Sequence, residues 1–311
     1  MYSKFAIIDF VKNKEEIPIK LGAIKKIPDR FLEYYVSKFN PFTLSATNIL
    51  DAEGYYVKLP LEKKHAYENI ELTEDLLDRT LINLYDLDVK TVILPKNFSH
   101  VIREGIYEAK KEYILPYFLL KIIKKSLNIV KKELKNAEIL IMADDLELSA
   151  CCVNLLYPHV NYFSVVANNE NIYNYFESIT QNIFNDCGLN LQVLRSGKEI
   201  IKSADIIINT SLSYKNAFSY KKGAVFIDLA GNTKKLHEIC IKRNDMVFID
   251  NALIKTKEQK LRIEEIFMYM YIVSKDFRQN IIKKSFNLNI SNIENELLKR
   301  NIENIILSHV F

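Results

Sequence analysis

At 311 residues the chain is long enough for two domains with cores of their own. Its 43 basic and 39 acidic side chains leave a formal charge of +4, too mild to imply a nucleic-acid partner. No uncharged apolar run reaches the roughly 18 residues of a membrane span, four cysteines make no disulfide framework, and Met1–Phe10 reads as a strand rather than a secretion signal. A cytoplasmic protein is expected.

Phe5–Phe10 is the first strand of an N-terminal α/β domain, taken as residues 1–115. Pro28 to Lys38 suits a short amphipathic helix, with Phe31, Tyr34, Tyr35 and Phe39 on its apolar face. The polar, proline-containing composition of Asn40 to Asp51 is that of a loop. Tyr55–Leu61 alternates like a strand that Pro60 closes or confines to an edge. Thr73 is placed to cap a helix running to about Leu87. Thr91–Leu94 is a short strand closed by Pro95, and Ser99 opens another helix.

From Tyr117 to Lys135 the apolar positions Leu119, Ile122, Ile123, Leu127, Val130 and Leu134 fall at helical spacing. Lys121, Lys124, Lys125, Lys131, Lys132 and Lys135 fill the remaining surface, which reads as a solvated face rather than a site for an anionic partner. Residues 116–136 would then be a connecting helix that runs directly into the next strand.

The rest of the chain is organised around residues 136–153, a strand (Ile139–Met142), a turn at Ala143 to Leu146, and a helix. Strand-like runs rich in Ile, Val and Phe follow at Tyr162–Ala167, Leu191–Arg195, Asp205–Thr210, Ala224–Leu229 and Met246–Asp250. Six such runs, separated by mostly helical segments, predict an α/β fold with a doubly wound parallel Rossmann-like sheet over residues 137–255. Glu258 to Asp276 reads as a long helix, and a last helix starts at Ser291, spaced from Glu294 as in a capping box. Residues 256–311 are expected to be C-terminal helices that pack back on the domains.

A dinucleotide is held on such a sheet because glycines let the backbone approach its pyrophosphate at a helix N-terminus. This chain has seven glycines, and none lies between Gly105 and Gly188. Where G-x-G-x-x-G is expected stands Ala143-Asp144-Asp145-Leu146-Glu147-Leu148. Acids at a helix start serve as caps; a cation, an amine or a ribose-type hydroxyl is the ligand they would suit. The second strand ends at Asn168, which makes neither the acidic choice for a ribose nor the basic one for a 2′-phosphate; a turn or a cap suits it better. Asn209, Thr210, Ser211, Asp228 and Asn251 stand at later strand ends, facing the crevice where ligands bind on these sheets. With Ala143, Asp144, Asp145 and Asn168 they form the candidate cofactor-binding set. NAD or NADP would have to be held without the glycine fingerprint, so the cofactor is left unknown.

The five histidines are scattered, with no metal-ligand spacing among His65, His100, His159, His237 and His309. Cys151 and Cys152 suit core packing on the helix after Met142, and Cys187 and Cys240 are isolated. Lys96 could reach an interdomain cleft but reads as a surface lysine. No catalytic residue is assigned.

With its strands laid out, Glu53-Gly54-Tyr55-Tyr56-Val57 followed by Pro60-Leu61 resembles the glycine-tyrosine strand of the acyl-acyl-carrier-protein reductases and the predicted amino-acid dehydrogenases grouped with them. The helix from Thr73, the strand through Leu94 and the runs Ala204–Ser211 and Phe226–Asp228 match that group in order. The Gly54-x-x-Val57-x-x-Pro60 pattern is also similar to shikimate dehydrogenases. The resemblance implies an NAD(P)-dependent oxidoreductase. Two departures oppose it: the cofactor turn is replaced at Ala143–Leu148, and the family's catalytic cysteine would fall in Ile266–Tyr271, which has none. The expectation is therefore a dehydrogenase-derived protein with a degenerate nicotinamide site that binds a small molecule or a protein partner. The alternatives are an oxidoreductase acting on a carbonyl or acyl group, and a structural subunit of an active paralogue; a homo-oligomer is a further expected assembly.

Overall fold

The structure, a computed structural model, describes residues 3–17, 29–39, 42–212, 219–231, 233–256, 259–283, 290–302 and 304–308. It divides into two compact units, Met1–Ala109 with Glu264–Lys275, and Lys110–Ile263 with Asp276–Phe311.

The first unit holds strands β1 (Lys4–Val11), β2 (Thr43–Ile49), β3 (Ala52–Glu62), β4 (Val89–Ile93) and β5 (Tyr107–Glu108), in the order β2-β3-β1-β4-β5. All pair in parallel except β2, which runs antiparallel to β3. Leu76, Leu77, Leu81 and Leu84 from the helix Ile70–Asp86 pack with Ile8, Val57, Leu59 and Val92 in its core. Gly54 lies opposite Phe5, and a Cβ there would stand 2.6 Å from the buried Phe5 ring. The glycine is a packing requirement of this pair.

Several sequence expectations change in this unit. The segment read as a loop at Asn40 to Asp51 contains β2, which is mostly solvent-exposed; it lacks an apolar alternation because main-chain pairing at an edge, rather than burial, forms it. Pro60 does not sit on an edge strand, since β3 lies between β2 and β1. The pairing with β2 nevertheless ends at Lys58, and the register with β1 jumps from Leu59 to Glu62. Pro60 therefore falls where no ladder bond needs its missing N–H. In the helix Asp29–Phe39 it is Val36 that is buried, while Phe31 and Tyr34 are 52% and 59% exposed. Asn69, not Thr73, caps the helix Ile70–Asp86: its side chain accepts from Leu72 N, and Thr73 Oγ1 donates to the carbonyls of Ala66 and Asn69. Ser99 opens only a single 3-10 turn, Ser99–Val101. The Tyr269 hydroxyl of the helix Ile263–Val273 donates to Asp51 at 2.6 Å.

The second unit is built on strands β6 (Glu138–Ala143), β7 (Tyr162–Ala167), β8 (Gln192–Leu194), β9 (Ile206–Asn209), β10 (Val225–Asp228) and β11 (Val247–Ile249). All six are parallel, in the order β11-β10-β9-β6-β7-β8. Numbered from β6, that order is 3-2-1-4-5-6, the doubly wound Rossmann arrangement. The helices Lys198–Ser203 and Thr233–Lys242 cover one face through Ile201, Leu236 and Ile239, against Leu140, Met142, Val166, Phe226 and Phe248. The right-handed crossover rule for parallel strands places Leu146–Leu156 and Glu170–Cys187 on the other face. Gly188, at φ 76°, closes the latter helix as a left-handed cap with its N–H on the Phe184 carbonyl.

A third, antiparallel sheet was not legible in the sequence: β12 (Asn251–Lys255) pairs with β13 (Lys260–Arg262) and β14 (Asn304–Ser308). It takes the start of the expected long helix at Glu258 to Asp276, which is instead the helices Ile263–Val273 and Lys275–Lys283. The expected helix over 116–136 is α-helical only at Leu119–Ile129; Lys131, at φ 53°, leaves the helical conformation, and a 3-10 turn at Leu134–Asn136 precedes β6. The last helix begins at Ile290, so Ser291 lies inside its first turn. Pro28, Asn40, Glu258, His309 and the Phe39 side chain lie outside the described residues.

Candidate functional site

Every strand of the six-stranded sheet ends on the same edge, because all run parallel, and ligands bind at that carboxyl edge in open α/β sheets. β6 ends at the buried Ala143, and the helix Leu146–Leu156 begins three residues later. Asp145 is its N-cap, accepting from Leu148 N at 2.9 Å. The Asp144 N–H donates to Thr210 Oγ1 at 3.3 Å, and the Asp144 carboxylate accepts from the Ser211 hydroxyl. Both acids at this turn are engaged by their own chain.

β9 supplies the other half of the network. Asn209 donates from Nδ2 to Asp228 Oδ1 and to the Ser211 carbonyl, each at 2.8 Å, and its Oδ1 accepts from Ser211 N at 3.3 Å. Thr210 Oγ1 donates to the Met142 carbonyl at 2.9 Å and lies 2.8 Å from Ser149 Oγ. Asn209, Thr210, Ser211 and Asp228 are all buried, Asp228 completely. Buried polar groups cost little only when satisfied, and these cross-link the ends of β6, β9 and β10 into one rigid unit.

One group near them is not satisfied. Asp250, directly after β11, is 8% exposed, and its Oδ1 has no hydrogen-bond partner. Lys111 donates from Nζ to the Asp250 carbonyl at 2.5 Å and stands 3.9 Å from Oδ2. Cys240 senses this cluster: burial first, then the charges of Asp250 and Asp228, push its thiol up to about 11.

Of the sequence candidates, Asp144, Asn209, Thr210, Ser211 and Asp228 come together, with Ala143 and Asp145 framing the turn. Asn168 is exposed and joins no such network; its neighbour Asn169 caps the next helix, accepting from Asn171 N and Ile172 N. Asn251 opens β12, and its Oδ1 accepts from Ala252 N at 2.7 Å. Ser149, Lys111 and Asp250 were not singled out. Asp250 closes a recognisable strand run, which was a usable signal; Lys111 lies 139 positions from its partner and gave none.

Cys151 and Cys152 are fully buried, Cys151 with its thiol pushed up to about 12 by burial and then by the Glu294 charge. Lys96 is exposed. Among the described residues no cluster of His, Cys, Asp and Glu could hold a metal ion, and no helix is long and apolar enough to cross a membrane.

No protein-family model matches the chain, and no curated protein matches it. Solved structures do. The shikimate 5-dehydrogenase from Listeria monocytogenes, solved with shikimate and NAD, is similar over 95% of this chain and 96% of its own, at 11% identity and a TM-score of 0.36. The L-tryptophan dehydrogenase from Nostoc punctiforme is similar over 95% and 81%, at 13% identity and a TM-score of 0.37. The quinate dehydrogenase from Corynebacterium glutamicum, solved with NAD, is similar over 96% and 99%, at 8% identity and a TM-score of 0.34. All three are dehydrogenases by name; it is the chain's own strand order that defines its second unit as a Rossmann-like α/β fold.

Proposed function

We propose that this is a dehydrogenase-derived Rossmann protein whose nicotinamide site is degenerate, and that the carboxyl edge of its sheet takes a small molecule or a protein partner in place of a dinucleotide. The observation that carries the reading is the state of the turn after β6. A pyrophosphate needs free N–H groups and close backbone approach. Here the Leu148 N–H is spent on Asp145, the Asp144 N–H on Thr210, and the Asp144 carboxylate is tied to Ser211. The helix dipole that would attract a phosphate is already met by the chain's own acids. The residues present do not fit a pyrophosphate. The nearby Asp250 Oδ1 is a buried acceptor left unmade, which costs about 1–3 kcal/mol, and a ligand hydroxyl that reached it would relieve that cost.

A second reading is an NAD(P)-dependent oxidoreductase acting on a carbonyl or acyl group with the cofactor in an altered pose. The complete six-strand order favours it, and the resemblance to acyl-acyl-carrier-protein reductases is what suggests an acyl group.

Thermal-shift titration with NAD⁺, NADH, NADP⁺ and NADPH separates the two. A cofactor at about 100 times its dissociation constant stabilises the fold by about 2.7 kcal/mol, a shift of several degrees. A saturating response to any of the four overturns the degenerate-site reading. A flat response to all four is the expected result.

A further inference from the structure

The amino edge of the six-stranded sheet carries a feature independent of its carboxyl edge. A cavity of about 440 Å³ opens across the first residues of β6, β7 and β8, within the range of about 300–1,000 Å³ usual for small-molecule pockets. Glu138 pairs with Tyr162, and Ser164 with Gln192, so these four side chains share one face of the sheet. One step further along the strands the same face is apolar, with Leu140, Met142 and Val166 buried under Ile201. A parallel sheet covered on both faces stays apolar along its strands; here the face turns polar at the strand starts, where the cavity opens. The covering helix, Lys198–Ser203, is short, and its Ile200, with Ala204 just beyond its end, walls one side of the cavity.

The lining selects a ligand class. Glu138 is the charged side chain among the lining residues, so the pocket disfavours phosphates and carboxylates. Asn161, Asn190 and Gln192 bring amides, and Ser164 a hydroxyl. Asn161 spends its Nδ2 on the Lys135 carbonyl and Ser164 Oγ lies 3.5 Å from Gln192 Oε1, which leaves the Gln192 amino group and the Asn190 amide for a ligand. The Tyr162 ring, 57% exposed, offers a flat apolar surface at the mouth. We propose that this cavity binds an uncharged ring compound bearing several hydroxyl groups, stacked on Tyr162 and held by Gln192 and Asn190. A free sugar and a nucleoside share that chemistry.

Saturation-transfer NMR and thermal shift with D-glucose, adenosine and AMP, each at millimolar concentrations, test it. Saturable binding of glucose or adenosine is expected and says which source supplies the ring. Tyr162→Ala should weaken that binding about tenfold, as removal of a stacking platform does, and Gln192→Leu should weaken it too. AMP should bind less well than adenosine, with the gap closing in Glu138→Gln. All three side chains are at the surface, so the variants keep the fold. The proposal is overturned if neither uncharged compound binds, if Tyr162→Ala leaves binding unchanged, or if AMP binds as well as adenosine. Loss of binding in Tyr162→Ala separates this cavity from a nucleotide bound at the carboxyl edge.

Discussion

Asp205 offers the sharpest test of how the second unit is held together. It is 5% exposed, just before β9, and its carboxylate accepts from Lys132, from Lys221 and from the Glu138 N–H at 2.9 Å. Asp205→Asn keeps one acceptor, removes the charge, and leaves two ammonium groups facing each other. Removing one partner of a buried ion pair costs about 3–5 kcal/mol. Both lysine side chains are about a third exposed, 36% and 33%, so water recovers part of that loss. The expected destabilisation is about 2 kcal/mol at pH 7, read from the urea midpoint at an unchanged m-value. Burial alone would raise the Asp205 carboxyl, but hydrogen bonds from Lys132, Lys221 and the Glu138 N–H outweigh it and hold it below its ordinary value. A depressed carboxylate stabilises above its unfolded value of about 3.9 and loses that stabilisation as pH falls through the folded value. The gap between the parent chain and Asp205→Asn should therefore be constant from neutral to mildly acidic pH and close below about pH 4. A variant within about 0.5 kcal/mol of the parent at pH 7, or a gap that persists in acid, refutes the reasoning.

Two further outcomes follow from the site itself. Asp145→Ala removes the N-cap of the helix Leu146–Leu156 and should cost about 1 kcal/mol in urea unfolding, whereas a ligand-only role for Asp145 would leave stability unchanged. In the native protein at pH 8 a charged thiol reagent should label the exposed Cys187 first. Cys151 and Cys152 should react only on unfolding, because burial keeps both as thiols, Cys151 up to about pH 12. Fast native labelling of Cys151 would contradict their place in the core.

The strands of the second unit were legible because parallel strands buried on both faces leave unbroken Ile, Val and Phe runs, as at Ile206–Asn209 and Val225–Asp228. Elements formed by pairing rather than burial were not. β2 is an exposed edge strand, and β14 joins β12 across about fifty positions of chain. Local chemistry also misplaces caps by a few residues: Thr73 and Asn168 suit a cap by type, but Asn69 and Asn169 are the residues that cap. The backbone path selects the capping residue in each case.

The sequence by itself determined the six-strand α/β layout, the absence of glycine at the turn after β6, and the placing of acids at that turn, since periodicity and composition are local properties. Only the tertiary structure decided what those acids do. Asp144 meets Ser211 across 67 positions, Asn209 meets Asp228 across 19, and Lys111 meets Asp250 across 139. A carboxylate becomes a cap, a lock or an open acceptor according to which donors the fold brings within hydrogen-bond reach, and no local pattern encodes those partners.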